Sequence, residues 1–393
     1  MSHQTSHAED AVTDAVMDME HLNRISQKIL RLGSAKAIEL KAQARKQRFY
    51  CSALSGLSSY NICVNCDMTV SCNCQDFDGT GQIGDLNTQS LEEVFGSSKA
   101  IEFRKHLASG RLPIPTCAVC SELKVVSAED ASYHADNWNV PKKGIMVENT
   151  IACPYRCLAC SRTVVRHIRK STHMTLSDTK KISLILLKHN IECLSYFNLG
   201  ETFAASDVLE HLCIIRETNP DLNILISTNG FLLNQDSKRE AALLANHIWF
   251  SIDGIDDRTM SIYQRGASFS KVYGNMMDLI EYRNLRGKTN PTIEWKYVLF
   301  NWNDREPMIL KAVEKAEGAG VDAISFWPTK SPFYGISWRY HLKSFYKRLG
   351  EPCWMGRQIS FFRSVPCELD SSDKSTSTPS CNDKEFLRDV KEQ

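Results

Sequence analysis

Three closely spaced cysteines are the residues best suited to metal chemistry. Cys153, Cys157 and Cys160 lie in the segment CPYRCLAC, in a CxxxCxxC spacing. Thiolates at this spacing can surround one compact iron–sulfur cluster. Three ligands for four irons leave one iron open, and catalysis at a metal requires an open coordination position. The triplet therefore predicts a catalytic cluster, with a zinc site or unrelated thiols as the alternative.

A predicted strand leads directly into this triplet. The strand lies in GIMVENTIAC, and five further strands alternate with amphipathic helices. These strands are predicted in CLSYFNLG, NILISTNG, HIWFSIDG, TIEWKYVLFNW and VDAISFWPT. Such an alternation implies a parallel sheet covered by helices, either doubly wound or closed into a partial barrel. In both arrangements ligands collect at the C-terminal ends of the strands.

The composition argues against several other classes of protein. The 393 residues include 47 basic and 46 acidic side chains, so there is no global field that would attract nucleic acid or an anionic membrane. No apolar run reaches the roughly 18 residues that span a bilayer, and the segment MSHQTSHAEDAV lacks the pattern of a secretory signal. We expect a cytoplasmic protein, and fifteen cysteines in a reducing compartment favour metal binding.

The triplet after the first strand resembles the signature of the radical S-adenosylmethionine superfamily. The resemblance implies a 4Fe–4S cluster whose open iron is chelated by S-adenosylmethionine. One electron from the cluster would cleave the sulfonium, and the 5′-deoxyadenosyl radical would then abstract a hydrogen atom from the substrate. The protein would bind and orient the cofactor and the substrate, and it would exclude water from them. Members of this family usually carry an aromatic residue before the third cysteine, where this chain has Ala159.

The ends of the next three strands resemble the cofactor-binding segments of the same family. The segments are NLGE, STNG and SIDG, followed by YQRG, and Leu199 replaces the first glycine of the family's glycine-glycine-glutamate segment. By resemblance, the cofactor site comprises Gly200, Glu201, Ser227, Asn229, Ser251, Asp253 and Arg265. Ser251 and Arg265 would contact the carboxylate or ribose of the cofactor. Taken singly, these segments are also compatible with turns and a surface salt bridge.

Six cysteines precede the triplet, at positions 63, 66, 72, 74, 117 and 120. Their segment resembles the SPASM auxiliary-cluster module through its CxCQD, IGDL, SLEEVF and closing CxxC. The ligands that we expect for an auxiliary 4Fe–4S cluster are Cys63, Cys74, Cys117 and Cys120. Cys66 and Cys72 are alternates or partial ligands of a second cluster, and Cys51 is expected to be an ordinary thiol. A zinc ribbon is the alternative.

The predicted organisation places this module before the barrel, whereas it normally follows it. The predicted domains are a polar helical leader (1–59), a SPASM-like module (60–125), a radical S-adenosylmethionine core barrel (145–330), an aromatic-rich extension (331–366) and a disordered tail (367–393). The fold class is α/β, a partial (β/α)6 TIM-like barrel with a small cysteine-rich iron–sulfur module at its N-terminal side. Because residues 60–125 contain few long apolar runs, we expect this module to have little core of its own and to need a metal staple.

The implied function is a radical modification of a peptide or sugar-type substrate. The resemblance also implies an electron donor such as flavodoxin or ferredoxin, and no nucleic-acid or membrane partner is expected. The alternative is a non-catalytic iron–sulfur or zinc-binding scaffold with a degenerate barrel. Ala159 and Leu199 favour that alternative, whereas the intact triplet and the SIDG–YQRG stretch favour the enzyme.

Overall fold

The computed structural model describes residues 4–339, 353–355 and 358–362. The helices are α1 (Gln4–Ala44), α2 (Leu91–Phe95), α3 (Ser98–Ala108), α4 (Ala128–Asp136), α5 (Arg162–Val165), α6 (Leu176–Lys188), α7 (Val208–Thr218), α8 (Asp236–Ala242), α9 (Asp257–Ser261), α10 (Phe269–Leu285) and α11 (Glu306–Ala319). The strands are β1 (Arg48–Cys51), β2 (Cys63–Val64), β3 (Thr69–Ser71), β4 (Gln82–Asp85), β5 (Leu123–Val126), β6 (Gly144–Val147), β7 (Cys193–Ser195), β8 (Asn223–Thr228), β9 (His247–Ser251), β10 (Thr292–Leu299), β11 (Ala323–Pro328), β12 (Cys353–Met355) and β13 (Gln358–Phe362).

Strands β6 to β11 form the parallel centre of one large sheet. Their spatial order is β6-β7-β8-β9-β10-β11, so each strand lies beside its predecessor in the chain. A doubly wound sheet reverses its strand order at a switch point, and the strands that the structure describes show no such reversal. The fold is therefore α/β with a parallel sheet, and the triplet loop and the NLGE, STNG and SIDG strand ends lie at one edge of it.

The two faces of this sheet differ in chemistry because successive side chains of a strand point in opposite directions. The face that packs against the helices is apolar and includes Leu194, Ile226, Ile248, Phe250, Trp295 and Phe326. Strand register places serine, glutamate and lysine side chains on the opposite face. We call this opposite face the polar face, and its serine, glutamate and lysine residues are Ser195, Ser227, Ser251, Glu294, Lys296 and Ser325, with Trp249 and Leu225 among them. Such a face is suited to a polar ligand rather than to a hydrophobic core.

The cysteine-rich segment extends the same sheet. Strand β2 pairs in parallel with β6, with Cys63 opposite Met146 and Val64 opposite Val147. Strands β3 and β4 continue from β2 in antiparallel pairs. The cysteine-rich segment is therefore joined to the first strand of the parallel centre, although it precedes that strand in the sequence.

The cysteine-rich segment also buries more apolar surface than its composition predicted. Helix α2 begins with a capping box in which Ser90 accepts from the amide of Glu93 and Glu93 accepts from the amide of Ser90. The helix then buries Leu91, Val94 and Phe95 in a core that is continuous with that of the parallel sheet. These short helices therefore contribute to a core that other elements complete, rather than forming a core of the segment's own.

Strand β13 pairs antiparallel with β11, and β12 pairs with β13, so part of the aromatic-rich extension adds to the far edge of the sheet. The predicted tail at 367–393 lies outside the described residues. No helix in the part of the chain that the structure describes has the length and apolarity needed to cross a membrane.

Candidate metal and cofactor site

The loop after β6 carries the cysteine triplet and is fixed by backbone hydrogen bonds. The amides of Arg156 and Leu158 donate to the carbonyls of Arg265 and Tyr263 at 3.0 Å and 2.9 Å. These two contacts join the loop to the YQRG segment that follows β9. Consequently the triplet and Arg265, which are more than a hundred residues apart in the sequence, belong to one site.

The three thiols of the triplet influence one another's protonation. Burial raises the pKa of Cys153 to about 11, and the nearby Cys160 contributes to the rise. Burial raises the pKa of Cys157 well above its ordinary value, and Cys160 and Cys153 raise it further. Because a metal ligand must be a thiolate, these thiols need positive charge among them in order to ionise. Iron ions would supply that charge, so this donor set fits a cluster.

Gly200 lies where the second strand end meets the triplet loop. A Cβ atom at this position would lie 1.8 Å from the carbonyl oxygen of Thr150. The next amide, that of Glu201, donates to the carbonyl of Ala152 at 2.8 Å. Only glycine allows this close approach, so Gly200 sets the distance between the NLGE segment and the first cysteine.

Glu201 joins the second strand end to the third. Its buried carboxylate accepts hydrogen bonds from the Thr228 hydroxyl at 2.6 Å, the Asn229 amide at 2.7 Å and the Phe203 amide at 3.3 Å. Burial raises the pKa of this carboxyl group, and the three donors partly oppose that rise. Both oxygens are engaged with the protein. Glu201 is therefore placed to position the STNG segment.

The STNG and SIDG segments contact the triplet and each other. The side-chain amide of Asn229 donates to the sulfur of Cys153 at 3.5 Å. Hydrogen bonds to ligating sulfur orient the ligand and adjust the properties of a cluster. The hydroxyls of Ser227 and Ser251 lie 3.4 Å apart on the polar face. The two strand ends thus present polar groups beside the first cysteine.

Asp253 fixes the end of the fourth strand. Its carboxylate accepts from the amide of Val298 at 2.9 Å, and its own amide donates to the side-chain carbonyl of Gln264 at 2.9 Å. The amide group of Gln264 in turn donates to the carbonyl of Ser251 at 2.8 Å. Burial raises the pKa of Asp253 to about 7, and the Val298 amide opposes the rise. Gln264, which the sequence analysis did not single out, therefore holds the SIDG segment in place.

Two buried polar atoms in this region have no hydrogen-bond partner among the described residues. They are Nη1 of Arg265 and the hydroxyl of Tyr155. The pKa of Tyr155 is raised by burial and then by Glu201, Cys157 and Cys153, which places its hydroxyl near the triplet. An unpaired buried donor costs about 1–3 kcal/mol, so both groups favour a ligand that brings acceptors. A guanidinium matches a carboxylate in particular.

A second group of neighbouring thiols lies in the cysteine-rich segment. Its members are Cys51 at the end of β1, Cys72 just after β3, and Cys117 and Cys120 at a 3-10 turn. Burial raises the pKa of Cys72, and Cys117 and Cys120 raise it further. Burial also raises the pKa of Cys51, with added contributions from Cys120 and Cys72. These interactions connect Cys51 with Cys72 and Cys120, and Cys72 with Cys117 and Cys120, while Cys74 also acts on Cys120. Four thiols are the number that saturates one cluster.

This grouping differs from the expected ligand set. Cys117 and Cys120 are common to both, whereas Cys51 and Cys72 stand beside them where Cys63 and Cys74 were expected. Cys74 nevertheless lies near Cys120, as both residues line one cavity of about 130 Å³. The thiol of Cys74 donates to the side-chain carbonyl of Asn61 at 3.2 Å.

Cys63 and Cys66 make contacts outside this group. The sulfur of Cys63 accepts from the side-chain amide of Asn198 at 3.3 Å, in the loop that follows β7. Cys66 donates to the carbonyl of Ser171 at 3.2 Å. Both thiols are buried and each interacts with Glu148, whose carboxylate lies 3.3 Å from Arg169. These contacts join the cysteine-rich segment to loops of the parallel sheet.

Among the described residues, no three of the His, Cys, Asp and Glu side chains converge on a point that one metal ion could occupy.

Comparison with known proteins identifies one of the two regions. Residues 51–121 match the family model SPASM, described as an iron–sulfur cluster-binding domain. The match begins at Cys51 and not at the predicted boundary of residue 60. No curated protein matches the chain.

Several solved structures resemble part of the chain. They include anSMEcpe with bound AdoMet (16% identity, 47% of this chain and 50% of that one, TM-score 0.37), archaeal TYW1 (15%, 48% and 69%, 0.33) and BtrN in complex with AdoMet and 2-DOIA (21%, 33% and 50%, 0.28). The chain thus spans half the length of anSMEcpe and of BtrN. The family-model match concerns the cysteine-rich region: residues 51–121 are similar to the SPASM iron–sulfur cluster-binding domain, as the cysteine pattern predicted.

Proposed function

We propose that this protein is a radical S-adenosylmethionine enzyme with one catalytic and one auxiliary 4Fe–4S cluster. The observation that carries the proposal is the triplet loop. It presents three thiols at the C-terminal edge of a parallel sheet, and Arg265, whose Nη1 is buried and unpaired, is fixed to the same loop. The sequential strand order supports a partial (β/α)6 barrel formed by residues 145–330.

The three thiolates of Cys153, Cys157 and Cys160 would hold the catalytic cluster and leave one iron open. When bound, that cluster supplies the electron that cleaves S-adenosylmethionine into methionine and a 5′-deoxyadenosyl radical. Arg265 would bind the carboxylate of the cofactor, since a guanidinium is the donor that pairs with a carboxylate through two hydrogen bonds. The hydroxyls of Ser227 and Ser251, 3.4 Å apart, would contact its ribose.

The remaining predicted site residues would act by positioning. Gly200 and Glu201 hold the second and third strand ends against the triplet loop. Asp253, through Gln264, fixes the segment that carries Arg265. Asn229 would orient the Cys153 thiolate through its hydrogen bond to sulfur. Each residue thus restricts the movement of a group that touches the cofactor, which is what preorganisation requires.

For the auxiliary cluster we propose the ligands Cys51, Cys72, Cys117 and Cys120. The interactions of Cys51 with Cys72 and Cys120, and of Cys72 with Cys117 and Cys120, support this set. The range matched by the SPASM model includes all four, as it includes the other cysteines of the segment. Four protein ligands leave no iron open. Such a cluster would pass an electron or shape the substrate pocket, but it would not bind S-adenosylmethionine.

The substrate and partners belong to the same proposal. The polar face would line the chamber in which a peptide or sugar-type substrate meets the radical, because it adjoins the proposed cofactor site at Ser227 and Ser251. A low-potential donor such as flavodoxin or ferredoxin would reduce the cluster. Oxygen-labile clusters and reducing partners suit the cytoplasm.

The test is cofactor cleavage by the full chain after anaerobic reconstitution. With dithionite, we expect conversion of S-adenosylmethionine into methionine and 5′-deoxyadenosine, separated and quantified by chromatography. Iron and sulfide analysis should give two clusters per chain. A protein with its full iron content that forms no 5′-deoxyadenosine, with dithionite or with reduced flavodoxin and with candidate peptides and sugars present, would show that the barrel is a scaffold.

A further inference from the structure

The polar face contains a lysine whose ammonium group is held in place by two tryptophans. The Nζ of Lys296 lies 4.6 Å from the ring centre of Trp249 and 4.5 Å from that of Trp327. These tryptophans come from the two strands that flank β10. An ammonium held between two aromatic faces keeps its charge at a fixed point, because each ring attracts the cation.

The two indoles are themselves fixed by Glu294. The Nε1 of Trp249 donates to the Glu294 carboxylate at 3.1 Å. The Nε1 of Trp327 donates to the hydroxyl of Ser325 at 2.8 Å, and that hydroxyl donates to the other oxygen of Glu294. His247 lies 3.0 Å from Glu294 through Nε2. The carboxylate is therefore buried and fully engaged, and its function is to hold the two rings around Lys296.

Lys296 itself has no hydrogen-bond acceptor within the described part of the chain. Its ammonium contacts the two rings and forms no ion pair with Glu294 or Asp253, although both carboxylates and the Cys74 thiol influence its pKa. The residue as a whole keeps part of its exposure to solvent. A cation that is positioned and yet lacks an acceptor indicates a site for an acceptor that arrives with a ligand.

We propose that Lys296 binds a carboxylate of the substrate, with Trp249, Trp327 and Glu294 as its positioning residues. A carboxylate matches an ammonium better than a neutral carbonyl does, since charge-assisted hydrogen bonds are about twice as strong as neutral ones. The carboxylate of the cofactor has a separate partner in Arg265. The inference rests on the proposed function, because it takes the polar face to be the substrate chamber.

The probes for this site are N-acetylglycine and N-acetylglycinamide, which differ only in whether the end group is a carboxylate or an amide. Their binding to the anaerobically reconstituted full chain is titrated by ligand-observed saturation-transfer NMR. We expect N-acetylglycine to bind about tenfold or more tightly than the amide, as the loss of a hydrogen bond to a charged group implies. Equal binding of both probes would overturn the proposal.

Substitutions test whether Lys296 causes the preference for N-acetylglycine over N-acetylglycinamide. Lys296→Met keeps an unbranched stem between the two indoles and removes the charge, so it should abolish the preference for N-acetylglycine. Lys296→Arg should keep the preference. The matched control is Lys271→Met, because the ammonium of Lys271 lies 3.5 Å from the ring centre of Phe231 but on α10, away from the polar face. A preference that survives in Lys296→Met, or that is lost in Lys271→Met, would contradict the assignment.

Repeating the titration with saturating S-adenosylmethionine shows whether Lys296 binds a carboxylate of the substrate or the carboxylate of the cofactor. If Lys296 serves the substrate, the affinity for N-acetylglycine should be unchanged when the cofactor is present. Competition between them would show that Lys296 binds the cofactor and would overturn the proposal. None of these titrations depends on cofactor cleavage, so the failure of this inference and the failure of the proposed enzyme activity are distinguishable.

Discussion

The two thiol groups of this protein are assembled in opposite ways. The triplet lies within eight consecutive residues on one loop, and its supports come from the ends of neighbouring parallel strands. The group of Cys51, Cys72, Cys117 and Cys120 spans seventy residues and is brought together by a strand end, a hairpin and a 3-10 turn. The triplet consists of cysteines that are close in the sequence, and residues distant in the sequence hold its loop in place. The second group consists of cysteines that are themselves distant from one another in the sequence.

This contrast shows where a spacing argument succeeds. A CxxxCxxC loop after a strand can hold its thiols together by local geometry, so the order of residues already places the ligands. In the cysteine-rich module the spacing allows more than one ligand set, because Cys63 and Cys66 form a second CxxC pair besides Cys117 and Cys120. The pairing of β2 with β6 and with β3 decides where Cys63 lies, and Cys74 is the thiol that interacts with both Cys63 and Cys120.

The largest effect is expected at the triplet. Replacing Cys153, Cys157 and Cys160 by alanine should abolish formation of 5′-deoxyadenosine and remove about half of the iron and sulfide, since one of two 4Fe–4S clusters is lost. The auxiliary cluster should remain, because its thiols lie in another part of the fold. Mössbauer and EPR spectra of this variant check the point, and a spectrum without any iron–sulfur signal would mean that the module holds no cluster.

The second prediction compares the iron content after loss of Cys51 with that after loss of Cys63. Cys51→Ala and Cys72→Ala should each destabilise the auxiliary cluster and lower the iron content by up to about half, because each removes one of four ligands. Cys63→Ala is the matched control, since this thiol is also buried in the module and should keep both clusters. Iron analysis that shows loss in Cys63→Ala and full retention in Cys51→Ala would restore the ligand set expected from the sequence.

A smaller effect is expected at Arg265. Arg265→Ala should weaken binding of S-adenosylmethionine by about 10- to 100-fold, because a carboxylate loses a charged hydrogen-bond partner worth about 1.5–3 kcal/mol. The iron content should not change. Equilibrium dialysis with labelled cofactor measures the affinity, with the exposed Arg258→Ala as a control on the neighbouring helix α9. Unchanged affinity in Arg265→Ala would remove this residue from the cofactor site.

The smallest effect concerns the support of the triplet. Glu201→Gln should lower the free energy of unfolding by about 1–3 kcal/mol, because the new amide group would face a donor, the amide of Asn229 or the hydroxyl of Thr228. Anaerobic thermal unfolding measures the change. The exposed Glu210→Gln is the control and should leave the midpoint unchanged. A Glu201→Gln variant as stable as the wild type would show that its hydrogen bonds do not hold the strand ends.

Much of the fold could be predicted because the spacing of buried residues along the chain differs between its strands and its helices. The alternation in NILIST gives a strand with every second side chain buried, and LSDTKKISLILLK gives a helix whose buried residues recur at helical spacing. The large shared core of the cysteine-rich module was missed for the converse reason. Its elements are short, so each one alone carries too few apolar residues to reveal a period.

At the site, the sequence identified residue types and their order, and the structure assigned their contacts. Glu201 was expected at the cofactor, and the structure shows its carboxylate bound to Thr228 and Asn229. Gln264 lies in the YQRG segment but was not itself a candidate site residue, and Lys296 carried no signal in the sequence. A lone glutamine in a loop and a lysine within a strand are common, and their significance comes from what lies opposite them.

The sequence by itself determined the triplet, the alternation of strands and helices, and the identity of the cysteine-rich region. Each of these depends on residues that are close in the chain, so spacing and periodicity record them. Tertiary structure alone decided which thiols of the cysteine-rich segment are neighbours, that this segment extends the parallel sheet, and that two tryptophans enclose Lys296. These features depend on strand register across segments separated by many residues, and no local pattern specifies that register.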